Sequence, residues 1–284
     1  MPEVLPATID DKAEVCEFLH RHMAPDVSVA RFGNLFDYPW LADKPDHGFI
    51  LREAGRLVGY IGTIYADRPA GGRMERFCNL SSWFVLPDFR NHSLKLLMAC
   101  QKNRDLTYTN LSARPVVQKI HEALRYRRLG RYKLFTPPLA QVWPALSRRV
   151  RGAAFITDPS RIRDLLPESH RTIFDHHLPT ECRHMLIEEG SRSCYVVWNR
   201  RVKKMVPFSE ILYLSDRELF RRHWESAKLR MLWRDRTPSL AVDEHVLGGN
   251  PPGMFLRYER ITMFKSPRLE PAQIDNLYTE LALL

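Results

Sequence analysis

Two short segments hold the residue types best suited to chemistry. The first is Ser81-Ser82-Trp83-Phe84-Val85-Leu86-Pro87-Asp88-Phe89-Arg90-Asn91-His92-Ser93-Leu94-Lys95-Leu96-Leu97. It reads as a buried strand that stops at Pro87, a short polar turn, and the start of an apolar helix. Such a junction aims several free backbone N–H groups and the positive end of a helix at one point, an arrangement that binds phosphate. The second segment is Tyr126-Arg127-Arg128-Leu129-Gly130, a phenol among cations. A tyrosine there can give a proton to a leaving group or simply pack with a wet hydroxyl. His176, His177, Cys182 and His184 form the only cluster with ligand chemistry, at a spacing that fits no structural zinc pattern, so no metal is expected. G-x-G-x-x-G, G-x-x-x-x-G-K-S/T, G-x-S-x-G and H-E-x-x-H are all absent.

The elements that must position these segments follow from pattern. A strand near residues 3–9 leads to a helix capped by Asp10 or Asp11, with Val15, Phe18 and Leu19 on one face. An aromatic-rich helical stretch covers residues 26–40. Strands at 48–52 and 57–65 make a hairpin about Gly55, and a long strand covers 74–86. Helices at 91–104 and 115–129 alternate with strands at 106–111 and 132–135; Pro115 suits a first helical turn and Gly130 a helix end. The later half echoes this order. Leu186–Gly190 leads to Cys194–Val197 as Leu51–Gly55 leads to Gly59–Gly62, with Tyr195 and Tyr60 each five residues after the turn glycine. A strand at 206–214 then precedes a helix from Asp216 to Met231. Strands at 240–246 and 260–264 and a closing helix at 271–283 complete the chain.

The two chemical segments resemble the GNAT superfamily of acyl-CoA N-acyltransferases. Trp83 to Arg90 is similar to that family's strand and V-x-P-x-F/Y-R turn, and Tyr126 to Gly130 to the Y-x-K-L-G-F helix end beside the thiol of CoA. The resemblance covers about residues 3–136, with the rest similar to a degenerate second copy. It implies an α/β (α+β) fold, a mixed, mostly antiparallel twisted sheet flanked by helices, divided into an acyl-CoA-binding domain at 1–136 and a second GNAT-like domain at 137–284 that closes the acceptor site. It implies acetyl-CoA, or another acyl-CoA, as co-substrate. Phe84 and Val85 on the strand and the backbone amides of Arg90, Asn91, His92, Ser93, Leu94 and Lys95 would hold it, with Lys119, Arg125 or Arg127 reaching the ribose phosphate. Tyr126 would protonate the leaving thiolate. Ser81 stands where relatives often carry a basic Glu, which leaves a water relayed through Ser81, Asn79 or Glu75 to accept the amine proton. The loop departs from the family's Arg/Gln-x-x-Gly-x-Gly/Ala at Ser93 and Lys95, and Arg131 replaces the final aromatic of the second motif.

Asp37, Asp43 and Asp46 could hold an acceptor ammonium, although surface carboxylates are the plainer explanation. The resemblance implies a small-molecule amine as acceptor, such as an amino sugar, an amino acid or a polyamine. Other readings remain: a GNAT-fold protein that binds without turnover, or a nucleic-acid binder. The chain of 284 residues carries a net charge of +10, and its cations cluster at Arg125, Arg127, Arg128, Arg131 and Lys133, at Arg148, Arg149 and Arg151, and at Arg200, Arg201, Lys203 and Lys204. That field favours polyanions, an acidic acyl carrier protein included. Interleaved acidic residues and the absence of a recognition motif place nucleic acid behind the acyltransferase. An apolar fraction of 44% excludes disorder. No apolar run has membrane-span length, the N-terminus lacks a signal-peptide pattern, and five sparse cysteines read as reduced, buried thiols, so a cytoplasmic protein is expected.

Overall fold

The structure, a computed structural model, describes residues 1–137, 152–203 and 205–284. Arg148, Arg149, Arg151 and Lys204 lie outside the described residues. The chain forms two compact units, one of residues 1–127, 262–274 and 278–284, the other of 128–261 and 275–277. The division falls at Arg127/Arg128 rather than at the expected 136/137, and most of the C-terminal residues belong with the first unit.

In the first unit, β1 (Glu3–Pro6), α1 (Lys12–His22), α2 (Val29–Asp37), β2 (Phe49–Glu53), β3 (Arg56–Ala70) and β4 (Arg73–Val85) precede a 3-10 turn at Pro87–His92 and α3 (Ser93–Cys100). β5 (Thr107–Asn110) and α4 (Pro115–Ala123) follow. The sheet runs β1-β2-β3-β4-β5, antiparallel except for the parallel β4–β5 pair. The last residues of β12 (Leu256–Lys265) lie antiparallel along β5. A short 3-10 turn at Pro271–Gln273 and α10 (Glu280–Leu283) complete the unit. Val15, Phe18 and Leu19 are buried on α1 as their spacing requires. The cap of α1 differs from expectation. A 3-10 turn at Ile9–Asp11 precedes the helix, and Asp11 reaches back to accept from the Thr8 amide at 2.9 Å.

The second unit is built from β6 (Arg127–Thr136), β7 (Ala153–Ile156), α5 (Pro159–Leu165), α6 (Glu168–His177), β8 (Arg183–Glu189), β9 (Arg192–Lys203) and β10 (Val206–Leu214). α7 (Arg217–Arg222), α8 (Trp224–Asp235), β11 (Leu240–Asp243) and α9 (Glu244–Leu247) follow. Its sheet runs β6-β11-β10-β9-β8-β7, and β10–β11 is again the parallel pair. Trp198, Trp224, Phe220 and Met231 centre its core.

The fold is therefore mixed α/β with a mostly antiparallel sheet, as expected, and the matched hairpins are real. Gly55 and Gly190 both turn with positive φ, where glycine carries no Cβ penalty. Tyr60 and Tyr195 are both buried, with hydroxyls bonded to the His47 carbonyl (2.6 Å) and to His184 Nδ1 (2.7 Å). Three expected helices differ. The one expected to reach residue 129 ends at Ala123, capped by left-handed Arg125, so that Arg127–Gly130 belong to a strand. His223 divides the helix expected from Asp216. The closing helix is only a 3-10 turn and four helical residues. All five cysteines are buried thiols. No helix among the described residues is long and apolar enough to cross a membrane.

The second unit also buries charge. Lys133 on β6 bonds Glu210 on β10 and lies 3.6 Å from Asp243 on β11, with Arg201 and Arg260 each reaching Glu210. All three of the first-named groups are at most 2% exposed. Removing one partner of such a set strands the other charge in low dielectric. Lys133→Met should destabilise the fold by about 3–5 kcal/mol, and Lys133→Met with Glu210→Leu by clearly less, read from denaturant midpoints. Burial also pushes the His184 imidazole down to about 4. Folding therefore favours its neutral form. That contribution, about 3 kcal/mol, is whole above pH ~6.5 and is lost as pH falls towards 4. His184→Gln should flatten the stability profile across that window; an unchanged slope would assign it to other groups.

Candidate functional site

The site is a place where a strand loses its neighbour. Phe77, Cys78 and Asn79 of β4 pair with Thr107, Tyr108 and Thr109 of β5, and there the ladder stops. β4 runs on to Val85 while still bonded to β3 on its other edge. Leu80–Val85 thus presents an edge without a partner strand among the described residues. The β3–β4 register shifts between Tyr60 and Gly62, and Ser82 in that bulge has φ +51°. Bulges of this kind bend a strand and re-aim its side chains.

Asn79 holds the end of the ladder. Its Nδ2 donates to the Thr109 carbonyl (3.3 Å) and hydroxyl (3.1 Å), and its Oδ1 accepts from the Glu280 amide (3.3 Å). The amide is committed to positioning. Ser81 is buried, its Oγ 3.3 Å from that of Ser82. Glu75 lies roughly 20 Å along the strand from Ser81, bonded to Arg73 and Arg268, which removes it from the proton relay. Phe84 packs against Phe18 (5.8 Å) and Val85 is buried.

The turn after Pro87 is more tightly wound than a free loop. Phe89 N donates to Leu86 O, Ser93 N to Arg90 O, and Ser93 Oγ to Arg90 O at 2.7 Å. The residue that caps the turn, Leu86, supplies no side-chain hydrogen bond to it. Arg90, Asn91, Leu94 and Lys95 are exposed, and His92 is half-buried. Lys119 and Arg125 are exposed, whereas Arg127 pairs with Glu270 and lies over the Phe264 ring.

Tyr126 is brought to this edge through rings. Trp83 on β4 meets His121 edge-on at 6.5 Å, and His121 meets Tyr126 at 4.3 Å. Tyr126 is buried, its hydroxyl has no protein partner, and burial raises its pKa, which keeps the phenol protonated. His121 was not among the sequence candidates. Its Nδ1 is 2.8 Å from the Val117 carbonyl, which only accepts, so Nδ1 carries the hydrogen and Nε2 a lone pair. That Nε2 is buried without a partner, and burial lowers the imidazole pKa. Glu280 was missed as well. It falls in the expected closing helix, whereas it sits at Asn79 with both carboxylate oxygens buried and unpartnered.

The acceptor candidates are mostly engaged. Asp37 pairs with Lys12 (2.5 Å). Asp46 accepts from Thr63 (2.6 Å), the Gly48 amide (2.9 Å) and Tyr65 (3.0 Å). Asp43 is exposed. Cys182 N donates to Thr180 Oγ1 and His177 bonds the Ile173 carbonyl. Among the described residues no group of three or more His, Cys, Asp or Glu is placed to hold a metal.

The second unit has the same parallel pair but a closed edge. Beyond Ile211, the Asn276 amide N–H donates to Leu212 O (3.3 Å), while the Asn276 side chain binds Asp243 (2.7 Å) and His245 (2.9 Å). At the following helix start, Asp216 accepts the Leu219 amide (2.9 Å) and pairs with Arg192, so a carboxylate already fills the anion position.

One consequence is open to spectroscopy. Long-range proton–nitrogen spectra should show neutral His121 with its hydrogen on Nδ1 and a titration midpoint below 6.5. A midpoint above that value would mean that the ring is not sequestered.

No family model and no curated protein matches the sequence. Solved structures do match. A GCN5-related N-acetyltransferase from Anabaena variabilis aligns with TM-score 0.58 and 10% identity over 93% of this chain and 72% of its own. The GCN5-related glucosamine N-acetyltransferase region of a fungal multi-domain GH3 β-N-acetylglucosaminidase aligns with TM-score 0.60 and 12% identity, over 93% and 38%. N-myristoyltransferase from Saccharomyces cerevisiae with bound myristoyl-CoA aligns with TM-score 0.52 and 10% identity, over 98% and 84%. With the parallel β4–β5 pair, the unpaired edge beyond Asn79 and the strand–turn–helix corner, these alignments give the chain the fold of the GCN5-related N-acetyltransferases.

Proposed function

We propose that the first unit binds an acyl-CoA at the unpaired edge of β4 and transfers its acyl group to the amine of a small molecule, acetyl being the donor to test first. The observation that carries this reading is the edge itself. Among the described residues Leu80–Val85 has no partner strand on that edge, and the wound turn at Pro87–His92 follows it directly in the chain. The buried, protonated phenol of Tyr126 is linked to it through the Trp83 and His121 rings. An edge N–H can hold the thioester carbonyl and take up the charge that develops on it. Arg90 and Lys95 supply cations for the diphosphate, and His92 a ring N–H. Tyr126 protonates the departing thiolate, for which a burial-raised phenol is in the right state. The closed edge at Asn276 and the filled cap at Asp216 support the first unit as the donor site and the second as a degenerate tandem copy.

A second reading, a CoA-binding protein without transfer, is favoured by Ser81 in place of a carboxylate and by the wound turn. The nucleic-acid reading loses support, because Arg127, Arg131 and Lys133 are all paired with carboxylates.

Titration calorimetry with acetyl-CoA and longer acyl-CoAs tests donor binding; absence of heat with every one of them would remove both CoA readings. With a turned-over amine, Tyr126→Phe should lower kcat about 10²-fold with KM little changed. Equal turnover would take the phenol out of the acid role.

A further inference from the structure

We infer that Glu280 is the carboxylate that receives the acceptor ammonium and takes its proton. The inference rests on the acyl-CoA reading of the same edge. β4 offers no base where its ladder ends: the Asn79 amide is committed, Ser81 is a hydroxyl, and Glu75 is held by arginines at the far end. Glu280 supplies what the strand lacks. Its backbone amide donates to Asn79 Oδ1, which sets the residue at the last rung of the β4–β5 pairing. Its side chain is 5% exposed, and neither Oε1 nor Oε2 has a hydrogen-bond partner. A buried carboxylate without partners is costly in the resting protein, and such orphaned groups call for a ligand or a reaction to explain them.

The residue is firmly held. The Trp40 ring meets Tyr278 edge-on at 5.3 Å, and the Arg68 guanidinium lies 5.7 Å from the Tyr278 ring centre. Asn34 Nδ2 donates to the Leu283 carbonyl at 3.0 Å, and Thr279 Oγ1 accepts from Leu281 N at 3.3 Å. Tyr278 adopts φ +60°, an expensive conformation for an aromatic residue. The fold accepts that strain and the buried charge together.

A site of this kind selects a protonated aliphatic amine over an aromatic amine or an alcohol, because only an ammonium offsets the desolvated carboxylate. Glu280 takes one proton from the ammonium, and the freed lone pair forms the C–N bond at the thioester carbon. As the C–S bond breaks, sulfur takes the Tyr126 proton, and the second proton of the nitrogen returns through water to Tyr126. Glu280 then releases its proton to solvent as the amide leaves.

The test uses the full chain, acetyl-CoA, and spermidine, glucosamine, lysine and aniline as acceptors, with Glu280→Gln and Glu280→Asp beside the parent protein. Three readouts are taken: acetyl-CoA affinity by calorimetry, thiol release, and melting temperature. The parent should acetylate at least one aliphatic amine and not aniline. Glu280→Gln should bind acetyl-CoA as the parent does, lose transfer by about 10²-fold or more, and melt about 2–4 °C higher as the unpaired charge disappears. Glu280→Asp should keep part of the activity. A Glu280→Gln protein with parental turnover would overturn the assignment, as would one that melts lower and loses acetyl-CoA. A parent that binds acetyl-CoA yet acetylates only aniline, or none of the four, would overturn it too, while leaving donor binding intact. A parent that binds no acyl-CoA would instead remove the reading beneath it.

Discussion

The end of the β4–β5 ladder at Asn79 is the constraint on which the first unit depends. Parallel strands share evenly spaced bonds, and once they part, every backbone group beyond must find another partner or a ligand. Here the Asn79 side chain takes over the last rung by bonding Thr109 on one side and Glu280 on the other. β4 remains anchored to β3, so the divergence opens an edge without loosening the sheet. The bulge at Ser82 turns the strand just before Trp83, whose ring leads through His121 to Tyr126. One broken ladder thus gathers an unpaired backbone, a protonated phenol and a buried carboxylate.

The second unit shows what the same architecture does when the break is filled. β10 also leaves its parallel partner, but the Asn276 amide N–H bonds the Leu212 carbonyl, and the Asn276 side chain bonds Asp243 Oδ2 and His245 Nε2. Asp216 takes the amide that an anion would need. In the interior of this unit Lys133, Glu210 and Asp243 offset one another's charge. In the first unit Tyr126 Oη, His121 Nε2 and both Glu280 carboxylate oxygens are buried without hydrogen-bond partners. What marks the candidate site is where its unpartnered atoms lie, at the end of the β4–β5 ladder and beside an edge that no strand among the described residues covers.

Much of both units was legible in the chain. The period-2 strands, the turn glycines Gly55 and Gly190 and the Val85-Leu86-Pro87 strand end are local signals, because alternation, positive φ and the missing proline N–H act within a few residues. The buried tyrosines five residues after each turn were equally plain. Helix ends were less so. The periodic pattern ran past Ala123, but Arg125 takes the left-handed cap and the following residues are drawn into a strand by pairing that no local pattern encodes.

What the sequence alone determined is the list of elements, their order and the phenol and cations available to a donor. Tertiary structure decided which polar groups are spent and which remain. Asn79, Asp46 and Glu75 look as able as Glu280 in one dimension, yet the side chains of the first three bond groups elsewhere in the chain and the Glu280 carboxylate bonds none. Hydrogen-bond satisfaction belongs to atoms far apart in sequence and close in space, so only the folded chain could distinguish them.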